Sequence, residues 1–308
     1  MNMIVEDVWT RDMYAILADG MRICYRTYGP LTGEPLLLIA GVGLQLDSWP
    51  RELIEELISR DYFVIAFDNR DVGRSSRVDT SGPSKLNHLF KVAPADNYDI
   101  GDMADDTARL IRHIRRGPVH VVGMSLGGMI GQTLAARYPE LVRTFTSIFS
   151  TTGDRSVGQP AKSTIKLIAS AFAPKNKEQG IDGMLKVLRH VGSSWTEARE
   201  AMRREYADQA WGRTDGMSLH LSVGRQIGAI MKSGDRTAQL KRIVAPTLVL
   251  HGDVEKMVHP SGGEATANAI KGAKFVSIQG MRHELTSELA PELAAYIDGH
   301  AKAVHPSR

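Results

Sequence analysis

Residues 120–128 read His120-Val121-Val122-Gly123-Met124-Ser125-Leu126-Gly127-Gly128. The Gly-x-Ser-x-Gly spacing alone recurs by chance in unrelated chains, because glycine makes up about 7% of residues. Its setting makes it informative. His120–Val122 is a short strand-like run, and Leu126 to Arg137 is a helical run of small and apolar residues. A serine on a sharp strand-to-helix turn stands exposed at the C-terminal edge of a sheet. The flanking glycines let strand and helix approach closely. The first N–H groups of the helix then face the oxyanion of an attacked carbonyl. Ser125 is therefore the candidate nucleophile, and the N–H of Leu126 is a candidate oxyanion donor.

Outward from this turn, strand and helix patterns alternate. Residues 14–28 read as two strands joined at Asp19-Gly20. Pro35–Ala40 and Phe63–Phe67 are continuous apolar runs, suited to strands buried on both faces of a parallel sheet. Residues 50–60 carry Leu53, Ile54, Leu57 and Ile58 at helical spacing behind Pro50. Residues 99–116 read as a helix with an acidic start and an arginine-rich end, the order that complements the helix dipole. Val142–Phe149, Thr247–Leu250 and Lys274–Ile278 are further strands, and a helix closes the pattern at about 287–299. Such alternation implies βαβ units and a mostly parallel sheet. Between Phe149 and Thr247 only helical patterns occur, around 162–172, 180–191, 195–211 and 217–231. The expected organisation is an α/β core, 1–150 and 243–308, with a helical insertion at 151–242.

A serine hydroxyl needs an adjacent base. In this motif class the chain order is Ser, then Asp or Glu, then His. His283 follows the strand 274–278 and Gly280-Met281-Arg282, just before the last helix, and is the candidate base. His251 ends a strand and reads as a backbone anchor. His259, beside Pro260, reads as solvated. His190 and His220 lie in the helical insertion, and His300 and His305 are assigned to the tail. The acid belongs in the loop after Thr247–Leu250, His251-Gly-Asp-Val-Glu-Lys-Met-Val258, where Asp253 and Glu255 both qualify. Asp154 is a remoter option. A carboxylate there would fix the imidazole tautomer and stabilise the imidazolium.

The chain resembles the α/β-hydrolase superfamily, and within it the aclacinomycin methylesterase-type hydrolases. The matching pieces are Ile39–Pro50, Phe67–Ser75, Gly123–Gly128 and Gly280–His283. The resemblance implies an eight-stranded core with a helical cap after the sixth strand. It places the acid three residues after the glycine of the His-Gly pair, at Glu255, where the family usually has Asp. It also places a second oxyanion donor at Val42, after Ala40-Gly41 in place of the family's usual His-Gly. The expected triad is Ser125, Glu255 and His283. The expected chemistry is hydrolysis of a carboxylic ester or lactone through an acyl-enzyme. Rival chemistries are C–C bond hydrolysis and perhydrolysis on the same triad, and a non-catalytic ligand-binding protein is a rival of another class. Dehalogenase and epoxide hydrolase relatives carry Asp where this chain has Ser125. Asp68, Arg70, Asp71 and Arg74 read as a structural brace of ion pairs.

The 308 residues are 43% hydrophobic and 24% charged, and the net charge is +3 with no Lys/Arg run. Neither nucleic acid nor an anionic membrane is expected as a partner. Cys24 is the single cysteine, which excludes an intramolecular disulfide and fits a reducing compartment. The start, Met1-Asn-Met-Ile-Val-Glu-Asp7, lacks basic and apolar leader regions. A cytoplasmic enzyme is the expectation. Ligand-spaced His/Cys clusters and a strand-linked Gly-x-Gly-x-x-Gly are both missing from the sequence, so no metal or cofactor is expected. Met184, Met202, Met217, Met231, Trp195, Trp211 and Phe172 would either line an adaptable apolar pocket or pack the insertion onto the core. The expected substrate is a small molecule, a moderately bulky apolar ester or lactone.

Overall fold

The computed structural model describes residues 11–80, 92–169, 174–214 and 219–304, together with Gly82 and Asn87. Phe172, Met217, His305 and the opening stretch read for a leader lie outside these residues, as does the side chain of His220.

Eight strands form one sheet: β1 (Met13–Ile16), β2 (Arg22–Tyr28), β3 (Glu34–Ile39), β4 (Tyr62–Phe67), β5 (Val119–Met124), β6 (Val142–Ile148), β7 (Thr247–Gly252) and β8 (Lys274–Ile278). Their order is β1-β2-β4-β3-β5-β6-β7-β8. β1, β2 and β4 pair antiparallel, and every pairing from β4 to β8 is parallel. The chain steps from β3 outward to β4, then crosses back to β5 on the other side of β3. This reversal makes a topological switch point at the carboxyl ends of β3 and β5, the place where open α/β sheets bind ligands.

The central strands are apolar throughout because both faces are covered. Along β4, Phe63, Ile65 and Phe67 join one core cluster, and Tyr62, Val64 and Ala66 join the other. The first cluster packs under α2 (Ile100–Ile114) and α3 (Leu126–Arg137). The second packs under α1 (Arg51–Ile58) and α10 (Ala290–Lys302). α2 begins with a reciprocal capping box between Asp99 and Asp102, and Arg112 and His113 lie in its last turn. α3 is buried on nearly all sides, so it shows no amphipathic stripe.

Between β6 and β7 the described residues form only helices: α4 (Lys162–Ala169), α5 (Lys177–Val191), α6 (Glu197–Arg213), α7 (Leu219–Ser233) and the short α8 (Thr237–Leu240). Buried ion pairs tie this segment to the sheet end. Arg213 on α6 binds Asp68 at 2.8 Å. Arg225 on α7 forks onto both oxygens of Asp71, at 2.9 and 2.7 Å. Arg70 reaches Asp106 at 2.6 Å, and Arg74 reaches Asp12. The loop 68–74 thus braces neighbouring elements. Trp195 and Met202, read as pocket or packing residues, are instead 64% and 55% exposed. α9 (Ser261–Ala269) was not read from the sequence.

His251 and His300 are both buried. His251 Nε2 bonds Val258 O at 2.8 Å. His300 is not in a loose tail: it sits on α10 with Nε2 3.1 Å from Pro246 O. Burial holds both imidazoles below their ordinary value of 6.5, which keeps them neutral. Burial likewise pushes the Cys24 thiol up to about 12, so it is inert. Among the described residues no helix is long and apolar enough to cross a membrane.

Two predictions follow from packing and titration. A Cβ at Gly127 would lie 1.9 Å from the Ile39 carbonyl oxygen. Gly127→Ala should therefore lower stability by about 2 kcal/mol or more, read from the urea midpoint; an unchanged midpoint and slope would refute this. The stabilisation from neutral His251 and His300 is complete above pH 6.5 and is lost as pH falls below it, because the unfolded chain then binds protons the folded one refuses. Melting temperature should fall on acidification below 6.5, and less steeply in His300→Gln.

Candidate active site

Ser125 occupies the turn between β5 and α3 at φ 54°, ψ −119°, a conformation that L-residues rarely adopt. The geometry around it is over-determined. Ser125 N–H donates to Ile148 O on β6 at 2.9 Å, and Ser150 Oγ donates to Ser125 O at 2.8 Å. A Cβ at Gly123 would stand 2.2 Å from Gly127 O, so the strand and helix meet at backbone distance. Strain of order 1–3 kcal/mol at one residue persists only under such support.

The side chains of Ser125, His283 and Glu255 form one hydrogen-bonded chain. His283 Nε2 lies 3.1 Å from Ser125 Oγ, and His283 Nδ1 lies 2.7 Å from Glu255 Oε2. An ionised carboxylate only accepts, so Nδ1 carries the proton and Nε2 is left as the acceptor for the serine hydroxyl. The Glu255 side chain is fully buried, and that of His283 is 13% exposed. Glu255 Oε1 accepts from Met257 N–H at 2.6 Å, which satisfies the second oxygen. Phe149 packs against the imidazole, with ring centroids 4.4 Å apart at 45°. Phe149 has φ 36°, a second residue beside this turn with positive φ.

The other carboxylates named from the sequence bond elsewhere. Asp253 Oδ1 accepts from Gly280 N–H at 2.7 Å and so closes the turn after β8. Asp154 Oδ1 accepts from Ser156 N–H at 2.8 Å in a local turn. His259 is exposed and bonds Ser261 Oγ, and His190 bonds Thr164 Oγ1.

The loop after β3 lies directly beside Ser125. A Cβ at Gly41 would be 3.4 Å from Ser125 Cβ, and one at Gly127 would be 2.8 Å from Ala40 O. Ala40 O accepts from Asn69 Nδ2 at 3.2 Å. Gly43, at φ 68°, donates its N–H to Gln226 Oε1 on α7 at 2.8 Å. Gln226 in turn donates from Nε2 to Arg70 O. Val42 thus stands in a turn fixed on both flanks. Leu126 is the first residue of α3, where an N–H has no intrahelical acceptor. Phe149, Ser150, Asn69 and Gln226 were not read as site residues. Asn69 and Gln226 are single amides with no motif of their own, and Phe149 counted only as the end of a strand. Among the described residues no group of three or more His, Cys, Asp or Glu could hold a metal ion.

The profile of the α/β hydrolase fold family matches residues 34–288. Rhodomycin D methylesterase DnrP of Streptomyces peucetius is 29% identical, over 96% of this chain and 97% of its own length. Rhodomycin D methylesterase DauP of Streptomyces sp. strain C5 is 28% identical over the same shares. Among solved structures, a meta-cleavage product hydrolase from Pseudomonas fluorescens IP01 superposes with a TM-score of 0.72 at 20% identity. That match covers 96% of this chain and 98% of the other. With the profile spanning both the Ser125 turn and the His283 loop, the chain belongs to the α/β hydrolase fold family.

Proposed function

We propose that this carboxylic ester hydrolase works through a Ser125–His283–Glu255 triad and an acyl-enzyme intermediate. The observation that carries the reading is the bonded chain itself, 2.7 Å from carboxylate to imidazole and 3.1 Å from imidazole to hydroxyl. Ser125 Oγ attacks the ester carbonyl while His283 Nε2 takes its proton. Glu255 holds the imidazole by Nδ1–H and stabilises the imidazolium. The tetrahedral oxyanion is met by the N–H groups of Leu126 and Val42, held in place before the charge develops. Collapse of the intermediate expels the alcohol, which takes its proton from His283. A water activated by the same imidazole then releases the acid.

Residues 1–150 and 243–308 form the hydrolase core in this reading, and 151–242 form a cap over the carboxyl ends of β3 and β5. The rhodomycin D methylesterases are full-length relatives, which supports a small-molecule carboxylic ester as substrate. An activated ester or a lactone would meet the same groups in the same order.

A fluorophosphonate probe should label Ser125 stoichiometrically, as mapped by mass spectrometry, and should leave Ser125→Ala unlabelled. Folded wild-type protein that resists the probe would sink the triad. Glu255→Gln should lower kcat on a p-nitrophenyl ester by roughly 10³–10⁴-fold. Asp253→Asn, which keeps an acceptor for Gly280, should stay close to wild type. The reverse ranking would make Asp253 the acid.

A further inference from the structure

His283 lies between β8 and α10, on residues that belong to no strand or helix. Its ring position therefore depends on what grips the loop. Much of that grip comes from the helical segment. His283 N–H donates to Val191 O, at the end of α5, at 3.1 Å. Arg282 Nη1 reaches Gly192 O at 3.4 Å. The strongest contact is on the next residue. Arg203 of α6 forks onto Glu284, Nε to Oε1 at 2.8 Å and Nη2 to Oε2 at 2.7 Å. Glu284 Oε2 also accepts from Ser193 N–H at 2.8 Å, and Arg203 Nη2 donates to Ser193 O at 3.1 Å. The two side chains are only 4% and 14% exposed. A Cβ at Gly192 would fall 2.7 Å from Arg203 Nη2 and 2.8 Å from Glu284 Oε2, so the turn 191–193 is moulded to this pair.

A bidentate guanidinium–carboxylate pair fixes orientation as well as distance. Here one end is a helix and the other is the residue after the imidazole. We propose that Arg203, through Glu284, is a positioning residue for His283, so that the helical segment sets the alignment of the base as well as covering the site. The proposal rests on His283 serving as the general base. An imidazole held by Glu255 and Ser125 alone could swing with its loop. Arg203 and the 191–193 turn limit that freedom by holding the His283 N–H and the side chains of the residues on both sides of it. A misplacement of about 1 Å at a reacting group costs about a hundredfold in rate.

The test uses the full chain as Arg203→Met, the double variant R203M/E284Q, which leaves no unpaired buried charge, and Arg203→Lys. Folding is checked by circular dichroism. Each variant is read for kcat and KM on a p-nitrophenyl ester, for the rate of Ser125 phosphonylation, and for the downfield proton resonance of His283 Nδ1–H. The expected result is a kcat and a phosphonylation rate lower by about a hundredfold, with KM little changed. The resonance should weaken or vanish in R203M and in the double variant. Lysine, which lacks the fork, should restore only part. If R203M does not fold, the double variant carries the test. Folded variants with wild-type kcat and an intact resonance overturn the proposal, as does a raised KM at unchanged kcat. Failure of the functional reading looks different: the wild-type serine would not label, while the resonance would still report whether Arg203 holds the imidazole.

Discussion

Everything at this site hangs on the backbone contact between the start of α3 and the ends of β3 and β5. Gly127 stands where a Cβ would be 1.9 Å from Ile39 O, and Gly123 stands where one would be 2.2 Å from Gly127 O. With both positions side-chain free, the helix can start immediately at the strand end. Ser125 is then forced into a left-handed turn and its hydroxyl out of the sheet edge. The same contact sets Gly41-Val42 beside Ser125. The loop after β3 and the first turn of α3 are two sides of one junction.

Sheet order converts that junction into a site. The reversal between β3–β4 and β5 puts the topological switch point at the carboxyl edge, and β6, β7 and β8 run parallel beside it. Each strand therefore delivers its following loop to the same edge. β7 delivers Glu255, β8 delivers His283, and β6 delivers Phe149 and Ser150. Parallel pairing needs long crossovers, and the segment between Ile148 and Thr247 supplies the longest of them, with helices as its only regular elements among the described residues. Those helices also return to the site, with Gln226 on Gly43 and Arg203 on Glu284.

The strand and helix periods of the core were legible in residue order because buried parallel strands read as unbroken apolar runs. α3 could be read to its ends, and motif and order picked out Ser125 and His283, whose side chains meet at 3.1 Å. The acid could not be fixed from residues alone. Asp253 and Glu255 stand two positions apart in an irregular loop, and nothing in the sequence says that Asp253 turns toward Gly280 N–H. The family resemblance pointed to Glu255, the carboxylate found on the imidazole. α9 escaped because Ser261-Gly-Gly-Glu-Ala-Thr-Ala-Asn-Ala269 has no large apolar residue to mark a period. Its burial comes from smallness, with Gly263 packed against the His251 ring. The exposed Met202 on α6 shows the converse: a large apolar side chain does not announce which face of a helix it occupies, and the exposed Trp195 lies before that helix begins.

Glutamate in place of the usual aspartate raises a geometric problem, since the carboxylate sits on a stem one methylene longer. The loop 253–258 absorbs it. Glu255 folds back so that Oε1 accepts from Met257 N–H while Oε2 stays on His283. Val258 O, in the same turn, accepts from the His251 ring, which Gly263 of α9 allows to lie close. The neutral state that burial imposes on His251 suits this arrangement, because a cation there would compete with His283 for the Glu255 carboxylate. The longer acid is thus seated by its own loop and by a helix built of small residues, and the spacing from imidazole to serine hydroxyl stays within hydrogen-bond reach.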